Sequence, residues 1–248
     1  SIVDSLKPYN VASVRPEIVD PEVTSVLLTS TVKYDSKSTT KSSDTLKSEI
    51  TTAITNYNTN TLQKFDAVYR HSKLTGIIDD VDTSILSNIT TIKIRKSFTP
   101  TLSSSTKYDI YFRNALFNPH SGHNATAGGI LSSTGFKVTG SDVEQFLDDD
   151  GNGNVRRYYL SSGIRTYSNE TQGTIDYSTG QITLNSLNIA SISNIRGATS
   201  TVVELTVTPN SNDVVPVRDQ IVEIDIANST INVTADSFVG GSADAGVG

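Results

Sequence analysis

Between Ser43 and Phe98 the spacing of apolar residues changes from that of a helix to that of a strand, and few small layer architectures accommodate such a switch. Leu46, Ile50, Ala53, Ile54 and Tyr57 recur three and four apart, which places them on one helix face, with Lys47, Glu49 and Thr51 on the other. Ser43 is the expected N-cap, and Asp44 is an acid where the helix dipole favours one. Asn56 to Asn60 should break the pattern, because Asn competes for backbone hydrogen bonds. A second helical face is expected in Leu62, Phe65, Val68 and Tyr69. A short turn capped by Ser72 then carries Leu74, Ile77 and Ile78 and is closed by Asp79, Asp80 and Asp82. His71 would end the second helix, where a cation suits the carbonyl end of the dipole. From Thr90 the period becomes two, Ile92, Ile94 and Phe98 alternating with Lys93, Arg95 and Ser97.

The flanks extend this unit. Residues 1–22 read as an extended lead-in, with Pro8, Pro16 and Pro21 each blocking helix. It offers a third strand to the layer that follows. Val23 to Tyr34 reads as a strand, with Val26, Leu28, Val32 and Tyr34 on one face. Residues 23–99 therefore predict an α/β core ordered strand, helix, helix, strand. Beyond Pro100 helix formers thin out, and residues 100–200 read as a β-rich arm or insertion of short antiparallel hairpins with turns at Gly163, Gly173 and Gly180. Residues 201–239 supply C-terminal strands returning to the core, with Gln220 to Ile226 and Ile231 to Thr234 expected to pair as a hairpin. Residues 240–248 read as a flexible tail. The class implied is α+β, a small helix-on-sheet core followed by β-hairpins.

The chain has 248 residues, a net charge of −6, 35% hydrophobic residues and no Cys. Zero Cys excludes disulfides and thiolate metal sites. The acidic balance argues against nucleic-acid binding, which needs clustered Lys and Arg, and the basic stretch Lys93 to Lys96 reads as a solvated strand face. No apolar run approaches the roughly 20 residues of a membrane span.

Chemistry is hard to place. Asp148, Asp150 and Asn152 stand at the first, third and fifth places of a calcium-type loop with Gly153 at the sixth, yet Tyr159 occupies the twelfth place, where a bidentate Glu belongs. An acidic hairpin loop is the simpler reading, and a weak calcium site the other. His120 and His123 lie three apart in a polar loop without a carboxylate to complete a metal set in sequence. No G-x-S-x-G, P-loop or dinucleotide fingerprint occurs. Nothing points to a catalytic residue, a cofactor or a small-molecule substrate.

Three segments carry a family likeness: LKPYNVASVRPEIVDPEVTSVLLTSTVKYD at Leu6 to Asp35, the helical unit EITTAITNYNTNTLQKFDAVYRHSKLTGIIDDVDTSI, and GTIDYSTGQITL at Gly173 to Leu184. In their order and composition they resemble the C-terminal part of the baseplate J-like family of contractile-tailed phages. The resemblance implies a structural baseplate wedge subunit in the virion tail, assembled in the bacterial host cytoplasm. Its implied partners are a second copy of itself and other wedge proteins, in a ring round the tail tube. Members are longer than this chain, which lacks Met, so a fragment missing its N-terminal portion is expected. The apolar face Leu46, Ile50, Ile54, Tyr57, Phe65 and Tyr69 is the candidate interaction surface. The alternative is a virion β-module that recognises host carbohydrate through Tyr158, Tyr159, Tyr167 and Tyr177, although Trp, the best sugar-stacking ring, is absent.

Overall fold

The computed structural model describes residues 22–123, 129–217 and 220–236. Its class is mixed α+β. Strand β1 (Glu22–Tyr34) and strand β2 (Ile85–Phe98) run antiparallel, with Val26 opposite Ile94 and Leu28 opposite Ile92. The inward-facing side chains follow the expected alternation, and Ser30 and Thr90, both buried on that face, satisfy one another at 2.8 Å. The chain enters β2 five residues earlier than the alternation predicts. A register shift at Lys33/Tyr34 skips Leu86, and such a bulge hides the period over the first turn of the strand.

Between the two strands lie helix α1 (Ser43–Tyr57) and helix α2 (His71–Asp79). Ser42, one residue before the expected cap, accepts the Thr45 N–H at 3.2 Å, and Asp44 sits in the first turn. Past Tyr57 the helix widens into a π-turn at Asn58–Leu62, and the face predicted over Leu62 to Tyr69 does not form a helix. Instead Tyr69 bridges Val214, with backbone hydrogen bonds of 3.0 Å in both directions. His71 opens α2 rather than closing a helix, and its N–H donates to Asp213 Oδ1 at 2.9 Å, so a carboxylate remote in sequence performs the capping assigned to Ser72.

The C-terminal strands do not form a hairpin. Strand β11 (Gln220–Ile224) pairs parallel to Glu22–Val26, and strand β12 (Thr230–Ala235) pairs parallel to Thr29–Tyr34, in line along the same edge of β1. A 3₁₀ turn at Ile226–Asn228 separates them without reversing the chain. Asp225 caps that turn, accepting Asn228 N–H at 3.1 Å. In the gap, Ser229 Oγ accepts the Leu28 N–H at 3.0 Å, so a side chain completes the ladder between the two strands. The lead-in up to residue 21 and the tail lie outside the described residues, and Glu22 already belongs to β1.

Strand β10 (Val203–Val207) adds to β2 over Ile94–Phe98 and pairs on its other side with β4 (Ser132–Ser133). Among the described residues this completes a six-stranded sheet. A second six-stranded sheet runs β3 (Ser105–Tyr111), β9 (Gln181–Ile192), β8 (Ile164–Asp176), β7 (Asn154–Ser161) and β6 (Phe146–Asp149), with β5 (Phe136–Val138) also on β9. Gly163 and Gly180 lie at its turns with positive φ, but Gly173 is interior to β8, paired with Leu184. One buried cluster spans both sheets, joining Val26, Ile50, Ile54, Ile92 and Ile94 to Phe112, Leu147, Ile182 and Leu205.

Candidate functional site

The acidic segment is a structural joint. Strand alternation in β6 sends Asp148 and Asp149 to opposite faces, and both are buried. Asp148 accepts Arg156 Nε at 2.9 Å, Arg165 Nη1 at 2.8 Å and the Tyr167 hydroxyl at 2.9 Å. Burial pushes its carboxyl up, and those donors do not fully offset it. Asp149 accepts the Ile130 and Leu131 N–H groups at 2.7 and 2.8 Å and the Tyr177 hydroxyl at 2.6 Å. Burial and that bond to Asp149 raise the Tyr177 phenol well above its ordinary range. Asp150 turns back on its own loop, accepting Asn152 N–H at 2.8 Å and Asn154 N–H at 3.0 Å. Burial works against its charge, yet the Asn154 and Asn152 bonds hold the carboxyl below the usual range.

Asn152 Oδ1 is taken by Ser121 Oγ at 2.7 Å. The ligand set proposed for calcium, Asp148, Asp150 and Asn152, is thus occupied by protein donors, and among the described residues no group of three or more His, Asp or Glu side chains is placed to hold a metal. His120 and His123 meet at 2.9 Å between Nε2 and Nδ1, on a loop tied to Gly151 through Gly122 N–H.

Tyr158 and Tyr167 are also engaged internally. The Arg165 guanidinium lies 4.7 Å from the Tyr158 ring and that of Arg156 lies 4.3 Å from the Tyr167 ring, so each ring has a cation on one face. Tyr158 also contacts Phe146 at 5.6 Å and Tyr167 at 6.0 Å between ring centroids. Guanidinium groups therefore sit on one ring face of Tyr158 and of Tyr167, two of the four tyrosines a sugar would stack against.

Five of the six residues read as an interaction face lie inside the fold. Leu46, Ile50 and Ile54 are fully buried and Tyr57 nearly so, because α1 turns its apolar stripe to the sheet, and Tyr69 is buried beside its bridge to Val214. Phe65, on the loop after the π-turn, is 60% exposed. Other large apolar side chains reach the surface at Leu86, Ile89, Leu160 and Ile164. Reasoning from periodicity alone misses Ile89, since an outward Ile in an alternating strand gives no signal of its own.

Two ion networks hold the first sheet. Lys96, read as solvated, falls on the buried side of β2, where it pairs with Glu22 and donates to the Tyr111 carbonyl at 2.6 Å. Burial lowers the Lys96 pKa, with Glu22 opposing. Glu22 is more open to solvent, so burial raises its carboxyl less than Lys96 and Gln220 lower it, and the net shift is downward. Arg95 bridges Asp225 and Glu204, the latter at 3.6 Å.

A groove of about 330 Å³ lies between α1 and β12, lined by Lys47, Thr51, Ile231 and Asn232. Among the described residues no helix is long and apolar enough to cross a membrane.

Residues 23–97, the unit from β1 to β2, match the family model described as baseplate structural protein gp6, C-terminal domain III. The match covers under a third of the chain. It supports a structural protein of a phage tail baseplate, located in the virion and associated with other baseplate components. A search of curated proteins finds no match to the chain.

Proposed function

We propose that this chain is a baseplate wedge subunit of a contractile-tailed phage, of the baseplate J-like kind. It pairs with a second copy and with other wedge proteins to form the ring round the tail tube, and it assembles in the host cytoplasm. The observation that carries this reading is the family match over β1 to β2, the unit on which the rest of the first sheet is built. Residues 23–99 with the C-terminal strands 201–239 act as the assembly core, since β10, β11 and β12 pair into the sheet of β1 and β2. Residues 100–200 act as the β-rich arm, although they lend β4 to that sheet and share its buried core. The role is contact rather than catalysis, in keeping with a matched family described as structural. Carbohydrate stacking on Tyr158 and Tyr167 is disfavoured by the guanidinium group already on one face of each ring.

Immunogold labelling of purified virions tests the reading. Label at the baseplate end of the tail is expected. Label on the head or fibres, or a virion without the chain, overturns it.

A further inference from the structure

Strand β2 is fourteen residues long, but β10 covers it only from Ile94 to Phe98. Among the described residues, the edge of Ile85–Lys93 that faces away from β1 has no strand beside it. An uncovered edge presents unpaired N–H and C=O groups, and natural sheets protect such edges with charge, Pro or a bulge unless they pair there. This edge has a bulge at Leu86 and beyond it an uncharged run, Ser87 to Thr91, with Ile89 at 68% and Leu86 at 51% exposure. The outer edge of β12 differs, its exposed positions being Thr230, Asn232, Thr234 and Ala235.

We propose that the Ile85–Lys93 edge of β2 docks against the same edge of a second copy, antiparallel about a twofold axis near Ile89. The choice of occupant comes from charge. The strand leaves an acidic turn in which Asp79 and Asp80 are exposed, and it ends its open half at exposed Lys93. Antiparallel pairing of two such strands sets the acidic end of each towards the basic end of the other, and parallel pairing would set like charges together. The open half is also nearly symmetric about Ile89, with Ser87 and Thr91 as hydroxyl side chains on either side. Two outward Ile89 side chains then cover one another on the axis. This inference rests on the self-pairing in the proposed function and specifies its surface.

Because the chain has no Cys, a single introduced thiol reports its own environment. Directly opposed strand residues have Cβ atoms about 4.5–5.5 Å apart, near disulfide range. The full chain carrying Ile89→Cys is expected to cross-link under mild oxidation at least tenfold faster than one carrying Ile164→Cys, a more exposed position on the β7–β8 turn. Ile89→Lys places two like charges on the axis and is expected to weaken dimerisation in light scattering at least tenfold, with an unchanged circular-dichroism melt. If Ile89→Lys dimerises as well as the wild type, the surface is wrong and self-pairing stands. If the wild type is monomeric across the concentration series and the two Cys variants cross-link equally slowly, self-pairing itself fails. A monomer that binds another baseplate protein through this edge, with binding lost in Ile89→Lys, also overturns the inference.

Discussion

Asn58 pairs with the backbone of Ile224 as a neighbouring strand would: its Oδ1 accepts the Ile224 N–H at 2.8 Å and its Nδ2 donates to the Ile224 carbonyl at 3.2 Å. Both bonds are buried, so the C-terminal strand β11 is fastened to the end of α1 by one side chain. Asn58→Ala leaves the Ile224 donor and acceptor unpaired in a dry site, and a loss of about 2–4 kcal/mol is expected in urea denaturation. Asn58→Asp keeps an acceptor but no donor and should also be destabilised.

The same residue shows what could be read in advance. The Asn-rich run from Asn56 to Asn60 signals a helix ending, and α1 does lose its regular period there. What replaces the helix depends on Ile224, which no local pattern can reveal. The alternation of β1 and β2, the apolar face of α1 and the short α2 follow from periodicity, because each buries one face against a single layer. The helix expected over Leu62 to Tyr69 fails because its spacing is supplied by two different environments. Leu62 packs in the π-turn, and Tyr69 packs beside a strand-like bridge to Val214. The parallel return of β11 and β12 is likewise invisible locally, since hairpin and in-line strands share one apolar pattern.

Ile54 and Phe65 belong to one predicted interaction face but should behave oppositely. Ile54→Asp buries a carboxylate in the core, and a loss of about 4 kcal/mol or more is expected, enough to unfold a marginal domain. Phe65→Ser at an exposed loop position should leave stability within about 0.5 kcal/mol. Thermal melts of the two variants decide the matter. A mild effect of Ile54→Asp would mean that α1 does not pack on the sheet as described.

Gly173 is held by close approach rather than by turn geometry. A Cβ there would stand 2.0 Å from the Thr183 carbonyl oxygen on β9, a rigid backbone atom. Gly173→Ala must push β8 from β9 and is expected to cost about 3 kcal/mol in chemical denaturation. Gly163→Ala, where no atom lies within 4 Å, should cost less, through its positive φ alone.

Asp176 shapes the β8–β9 turn by accepting the Ser178 hydroxyl at 2.6 Å, the Thr179 hydroxyl at 2.7 Å and the Ser178 N–H at 2.9 Å. Those bonds lower its carboxyl from 3.8 to about 2. A lowered folded pKa stabilises the fold above the unfolded value and loses that contribution as pH falls through the folded one. Asp176→Asn should therefore melt below the wild type at pH 6, with the difference shrinking between pH 4 and 2. A constant difference across that range would show that the carboxylate charge is not what the turn uses.

Asp148 carries the test of whether the acidic loop responds to calcium. Its two oxygens are shared among Arg156, Arg165 and Tyr167, so a cation would have to displace two guanidinium groups to reach them. Melting temperature should be the same in millimolar calcium and in EDTA. Removing the carboxylate is different, because the Arg156 side chain is only 12% exposed and would lose this cross-strand partner. Asp148→Ala is expected to cost about 3 kcal/mol, in line with breaking one side of a buried ion pair. Calcium-dependent stabilisation of the wild type, abolished in Asp148→Ala, would restore the metal site and displace the joint.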